Sequence, residues 1–222
     1  MGLFYIIGLM VFLSFVLKLA FGSSGSSKKK GKRGEKLVSN ELKRMNLEAF
    51  DDVLLPSRDG MTQIDHIAKV GNSIVVIETK NYKGAIYGGR WDKDWRQVFR
   101  RGTSFPFQNP INQNYGHIKA VQAVVGGNVD VRGVVVFVGT AKFPKGRPEG
   151  VLTMFEFADW LRETFVDAGA KTNIDQAWAE LIDEMKIRGG RADRKEHMRT
   201  VKNAKAGTRT VSSDHRVEPT FD

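Results

Sequence analysis

The chain has 222 residues, 41% of them hydrophobic with 14 Phe and 4 Trp, which supplies a core for one ordinary domain with tails and excludes a wholly disordered chain. No cysteine is present, so disulfides and thiolate metal centres are excluded. A formal net charge of +10 favours an anionic partner, nucleic acid or an anionic lipid surface.

In chain order, residues 3–21 read LFYIIGLMVFLSFVLKLAF, with Lys18 as their one charge. At about 1.5 Å per residue such a run spans roughly 28 Å, one bilayer core. The basic stretch KKKGKRG follows it, and basic flanks stay on the cytoplasmic side. A cleaved signal peptide would carry its positive charge before the apolar run instead. The pattern predicts a transmembrane anchor over 1–21 in the inner membrane and a flexible Gly/Ser and basic linker over 22–33 touching anionic lipids. A cytoplasmic folded domain over 34–188 and a disordered basic tail over 189–222 complete the chain.

Within the domain, GEKLVSNELKRM has helical spacing, with Glu35, Val38, Leu42 and Met45 on one face. DDVLLPS, TQIDHIAKV and NSIVVIETK read as strands, and a further short strand pair is expected around GAIYGGRW. Residues 108–125 return to helix, with Ile111, Tyr115, Ile118, Val121 and Val125 on an apolar stripe. RGVVVFVGT reads as a fully buried strand. Thr153 with Glu156 forms a capping box for a helix through Phe165, and Asn173 with Gln176 opens another carrying Trp178, Leu181, Ile182 and Met185. This order predicts an α/β domain with a mixed sheet.

TQIDHIAKVGNSIVVIETK places an acid in each of two apolar strands. Taking Gly71-Asn72 as a two-residue hairpin loop sets Val70 opposite Ser73 and Asp65 opposite Glu78. Side chains alternate along a strand, so Lys80 shares the face of both acids, while His66 points to the other face as a structural residue. Opposed like charges destabilise a sheet. A shared proton, a neighbouring cation or a bound metal would relieve them, and Glu35 adds a third acid if its helix packs near the strand ends. An all-oxygen cluster suits Mg²⁺ or Mn²⁺; the other reading is a Lys80 salt bridge at a solvated sheet edge. Gln113 and His117 lie four apart on one helical face, away from the Ile111 stripe. Lys83, Arg90 and Arg96, interleaved with Tyr82, Trp91 and Trp95, suit backbone contact and stacking on nucleic acid. A Walker-type phosphate loop is absent, and the four histidines are scattered over separate segments.

Asp65, the Glu78-Thr79-Lys80 triplet after a short hairpin and the helical Glu35 resemble the PD-(D/E)-x-K nuclease superfamily, and more narrowly the nuclease-related domain, NERD. The resemblance runs from about Gly34 to Val125 and rests on GEKLVSNEL, IDHI, IETKNYKG, Arg90-Trp91 and NPINQNYGHIKAV. Ile64 stands where the superfamily's name has Pro. The resemblance implies a restriction-endonuclease-like core and Mg²⁺- or Mn²⁺-dependent phosphodiester hydrolysis, with DNA the favoured substrate. It implies that Asp65, Glu78 and the Thr79 carbonyl hold the ion, that Lys80 orients the attacking water, that Glu35 completes the acid shell and that Gln113 lines the site. The alternatives are a non-catalytic, membrane-tethered nucleic-acid-binding protein of the same fold and a membrane scaffold.

Overall fold

The structure, a computed structural model, describes residues 24–58, 60–100, 102–166 and 173–188. In chain order its elements are α1 (Ser24–Arg44), β1 (Ala49–Ser57), β2 (Gly60–Val70), β3 (Ser73–Lys80), β4 (Gly84–Tyr87), β5 (Asp94–Val98), β6 (Ser104–Gln108), α2 (Pro110–Val125), β7 (Asp130–Phe137), β8 (Ala141–Lys142), β9 (Val151–Thr153), α3 (Met154–Val166) and α4 (Ile174–Arg188). Residues 3–21, read as a membrane anchor, and the tail over 189–222 lie outside the described residues. Among the described residues no helix is long and apolar enough to cross a membrane.

β3 is buried from Ser73 to Thr79, so it needs a strand on each side and helices over both faces. It has them. The main sheet runs β1-β2-β3-β7-β9, antiparallel on the β1 side and parallel from β3 onwards, a mixed sheet as expected. Over one face α1 and α3 bury Val38, Leu42, Phe157 and Leu161 against Ala68, Val75 and Ile77. Over the other, α2 and α4 bury Val121, Val125, Trp178 and Leu181 against Ile67, Ile74 and Val76. Each expected capping box forms by one of its two bonds: Thr153 N–H and Oγ donate to Glu156 Oε2 at 2.8 and 2.7 Å, and Gln176 N–H donates to Asn173 Oδ1 at 3.2 Å.

The hairpin register is the expected one, with Val70 opposite Ser73 and His66 opposite Ile77. Gly71 takes φ 58 and Asn72 is not left-handed, the II′ pattern that continues strand twist.

Three expectations are corrected. The segment from Ser24 to Arg33, read as flexible linker, is helical and continuous with α1, because its lysines and arginines are good helix formers. The short strand pair around GAIYGGRW is part of a four-stranded second sheet, β6-β5-β4-β8. β6 carries Pro106 and exposes Phe105, so it lacks a strand's usual signature; as an edge strand it tolerates the missing donor. Tyr115 leaves the α2 stripe and is 59% exposed, while Asn114 and His117 turn inward.

The second sheet is held to β7 by its own aromatic core. Trp95, fully buried, stacks on Phe137 at 6.3 Å and 12°, and a Cβ on Gly88 would stand 2.1 Å from its ring.

Candidate functional site

β2 and β3 part company where the acids begin. The last rung of their ladder is His66 opposite Ile77. One step on, the Asp65 carboxylate replaces the backbone: Thr79 N–H donates to its Oδ2 at 2.8 Å. On the β1 side the same rung is occupied by Asp52, between the pairs Asp51–His66 and Val53–Ile64, and Asp52 is left-handed with φ 55. That residue reverses the facing of its strand. Asp51 accepts from Ser39 of α1 at 2.8 Å, yet Val53 packs in the core under α2 and α4. Asp52, Asp65 and Glu78 therefore stand in line across three strands.

Glu78, 2% exposed, has a nitrogen of a basic side chain near each oxygen. Lys80 Nζ lies 2.6 Å from Oε1 and also donates to Gln113 Oε1 of α2 at 3.0 Å. His117 Nε2 lies 3.2 Å from Oε2, close enough to pair but off the line of a hydrogen bond. His117 Nδ1 is fixed by Thr62 Oγ1 at 3.0 Å. Burial pushes the Glu78 carboxyl up, but the Lys80 ammonium and the His117 imidazole outweigh it and hold it below the usual range. Burial pulls the Lys80 ammonium down, and Glu78 overrides that too, leaving it firmly charged.

Asp65 has no such partner. Burial, and then the Glu78 charge, push it up to about 7. Glu35 on α1 is also raised, by burial and then by Asp52. The floor thus holds one neutralised acid, Glu78, and two acids short of a counter-charge.

These groups open into a cleft of about 1220 Å³ between α1, the β1–β2 hairpin and α2, in which Glu35, Asp52, Asp65, Gln113 and His117 take part. Glu35, Asp65, Glu78, Lys80 and Gln113, singled out in the sequence, meet at this place, with Thr79 contributing its N–H to Asp65. His66 lies on the opposite face, fully buried, and its Nδ1 pairs with Asp51 at 2.8 Å. Lys83, Arg90 and Arg96 do not line the cleft. They belong to the second sheet and its loops, where Lys83 lies over Phe99, Arg90 over Trp91, and Arg96 donates to Ser104. Asn109 pins the Arg90 loop, donating to the Asp92 carbonyl at 2.6 Å while capping α2 through the Ile111 N–H.

Asp52, Thr62, Lys32 and Arg58 were missed. Asp52 carried a signal, since Asp51-Asp52 is a charge doublet inside an otherwise apolar strand, and continuing the register across β1 puts it beside Asp65. Lys32 lies in the basic run read as a lipid-contacting linker, and Thr62 and Arg58 carried no signal.

The donor set suits a hard dication. Asp65 and Glu78 offer oxygen, and Asp65 lacks a cation of its own. Among the described residues no three His, Cys, Asp or Glu side chains form a ready-made cage. That is compatible with Mg²⁺, which commonly uses one or two carboxylates and keeps several waters.

Residues 30–138 match the family model of the nuclease-related domain. An uncharacterized protein of Bacillus anthracis is 43% identical over 101 residues, covering 43% of this chain and 47% of that protein, so the match spans about half the relative's length. No solved structure matches. The residues that meet at the cleft floor, from Glu35 to His117, fall within the matched stretch, so the site lies in the part of the chain that is similar to the nuclease-related domain, NERD.

Proposed function

We propose that this protein is a metal-dependent nuclease that hydrolyses phosphodiester bonds, with DNA the favoured substrate, and that the cleft floor is its active site. The observation that carries this reading is the meeting of Asp65, Glu78 and Lys80 where β2 and β3 separate in the middle of the main sheet, with Lys80 Nζ 2.6 Å from Glu78. Phosphodiester hydrolysis needs a nucleophilic water, neutralisation of the phosphate and help for the leaving oxygen. When bound by Asp65 and Glu78, Mg²⁺ or Mn²⁺ would supply charge neutralisation and acidify water. Lys80, kept cationic by Glu78 and aimed by Gln113, supplies a fixed positive charge beside the scissile phosphate. Glu35 closes the acid shell from α1, and His117, braced by Thr62, keeps the Glu78 carboxylate in place.

The test is the full chain incubated with plasmid, linear and single-stranded DNA, with and without Mg²⁺ or Mn²⁺, beside Lys80→Ala and Asp65→Ala. Cleavage that needs the metal and is lost in both variants, by at least about a hundredfold, is the expected result. Equal nicking by the unmutated chain and Lys80→Ala would sink the proposal.

One observation favours a second reading, a nucleic-acid-binding protein that does not cut. Both Glu78 oxygens already face a basic side chain of the chain itself, Lys80 at one and His117 at the other. Binding of DNA without metal-stimulated cleavage would select it.

A further inference from the structure

We propose that the cleft is the path of a single, unpaired nucleic-acid strand, with Tyr115 as a stacking platform and Lys32, Arg58 and Lys119 as its phosphate contacts. The proposal deepens the nuclease reading and rests on it for the identity of the cleft.

Tyr115 is the first ground. Helical spacing assigns it to the apolar stripe of α2, but its ring is 59% exposed and lines the cleft. Beside it stands Gly116, where an added Cβ would meet nothing within 4 Å, so the helix presents a bare surface next to the ring. Lys119 Nζ lies 5.3 Å from the ring centroid. An exposed aromatic ring with a cation over it joins a stacking surface to a phosphate contact, the combination by which unpaired bases and their own phosphates are held together.

The second ground is where the cations come from. Lys32 stands on α1, Arg58 follows β1 and Lys119 stands on α2, so three separate elements each bring one positive charge to the same cleft. Arg58 and Lys32 are both at the cleft, and the Lys32 charge is felt there by the Glu35 carboxyl, whose pKa it lowers against the larger effect of burial. They surround a floor made of Glu35, Asp52 and Asp65, which by itself repels phosphate. Cations at the rim and acids at the floor suit a backbone that is held at its flanks and bent towards the acids at one point.

Shape decides between one strand and two. A base paired within a duplex has its faces covered by its neighbours, so a ring on the wall of a concave cleft can stack only on a base that has left the helix. Pockets of roughly 300–1,000 Å³ enclose one drug-sized ligand. A cleft of about 1220 Å³ accordingly has room for a few nucleotides.

Fluorescence anisotropy of the full chain in EDTA tests this, with a short labelled oligothymidylate and a duplex of the same length as probes. The single strand is expected to bind at least about fivefold more tightly. Tyr115→Ala should weaken single-strand binding by roughly 5- to 100-fold, the range for loss of one stacked base. It should leave duplex binding unchanged, and Tyr115→Phe should restore the unmutated affinity. Lys32→Ala and Arg58→Ala should each reduce the slope of log K against log salt by about 0.7. Equal affinity for both probes, no binding of either, or an unaltered affinity in Tyr115→Ala would overturn the proposal. The readout does not depend on cleavage. A strand that binds as described but is never cut would refute the nuclease reading and leave the track standing; a duplex cut without strand preference would do the reverse.

Discussion

The two sheets of this molecule treat charge in opposite ways. In the main sheet Glu78 and Lys80 sit at the C-terminal end of the buried strand β3, and each is held ionised by the other against the cost of burial. In the second sheet, Arg96 and the loop residues Lys83 and Arg90 are exposed, and their contacts are with aromatic rings and a hydroxyl. A buried charge must be paired, so its geometry is fixed; an exposed one is free, and its position says little. The basic and aromatic residues after the acid motif look like a nucleic-acid surface in sequence. The acids, not those residues, mark the cleft.

The comparison can be broken most severely at Trp95, the fully buried anchor of the second sheet. Trp95→Ala is expected to cost about 4 kcal/mol in urea unfolding. Because Trp95 stacks on Phe137 of β7, global stability should fall. A loss of hydrogen-exchange protection confined to β4, β5 and β6, with an unchanged urea midpoint, would mean that the two sheets are energetically separate.

Next in size is Lys80→Met. It leaves Glu78 buried with the His117 imidazole as its remaining side-chain neighbour of basic type, and a loss of about 3 kcal/mol is expected, the low end for breaking a buried pair. Unchanged stability would show that His117 alone balances Glu78.

Asp65→Asn should act in the other direction. The folded-state pKa is raised from 3.8 to about 7, so the native protein holds this proton more tightly than the unfolded chain and loses stability as pH rises between those values. Asparagine removes that loss and keeps an acceptor for the Thr79 N–H. In metal-free buffer the variant should be more stable than the unmutated chain by on the order of 2–4 kcal/mol at pH 8 and by less at pH 5. A gain that did not grow with pH would place the burden on some other group. Arg96→Ala, at the small end, should leave the urea midpoint unmoved, as for most exposed substitutions.

The register of β2 and β3 was legible because a two-residue loop and strict alternation tie every rung to the sequence of the hairpin itself. The capped starts of α2 and α4, and the capping box ahead of α3, were legible for the same local reason. Tyr115 was misassigned because helical spacing identifies a stripe but not how wide a neighbouring element covers it. His117 could be placed beside Gln113 on the helix, yet nothing local indicated that Thr62, 55 residues earlier, would fix one of its nitrogens.

The sequence by itself determined the strands of the hairpin, their register and the common face of Asp65, Glu78 and Lys80, since covalent alternation along a chain settles which neighbours point the same way. Only the tertiary structure decided that α1 brings Glu35 and Lys32 to one side of those acids and α2 brings Gln113, Tyr115 and His117 to the other. Such meetings are set by helices packing on opposite faces of a sheet, and the contacts that fix them join residues far apart in the chain.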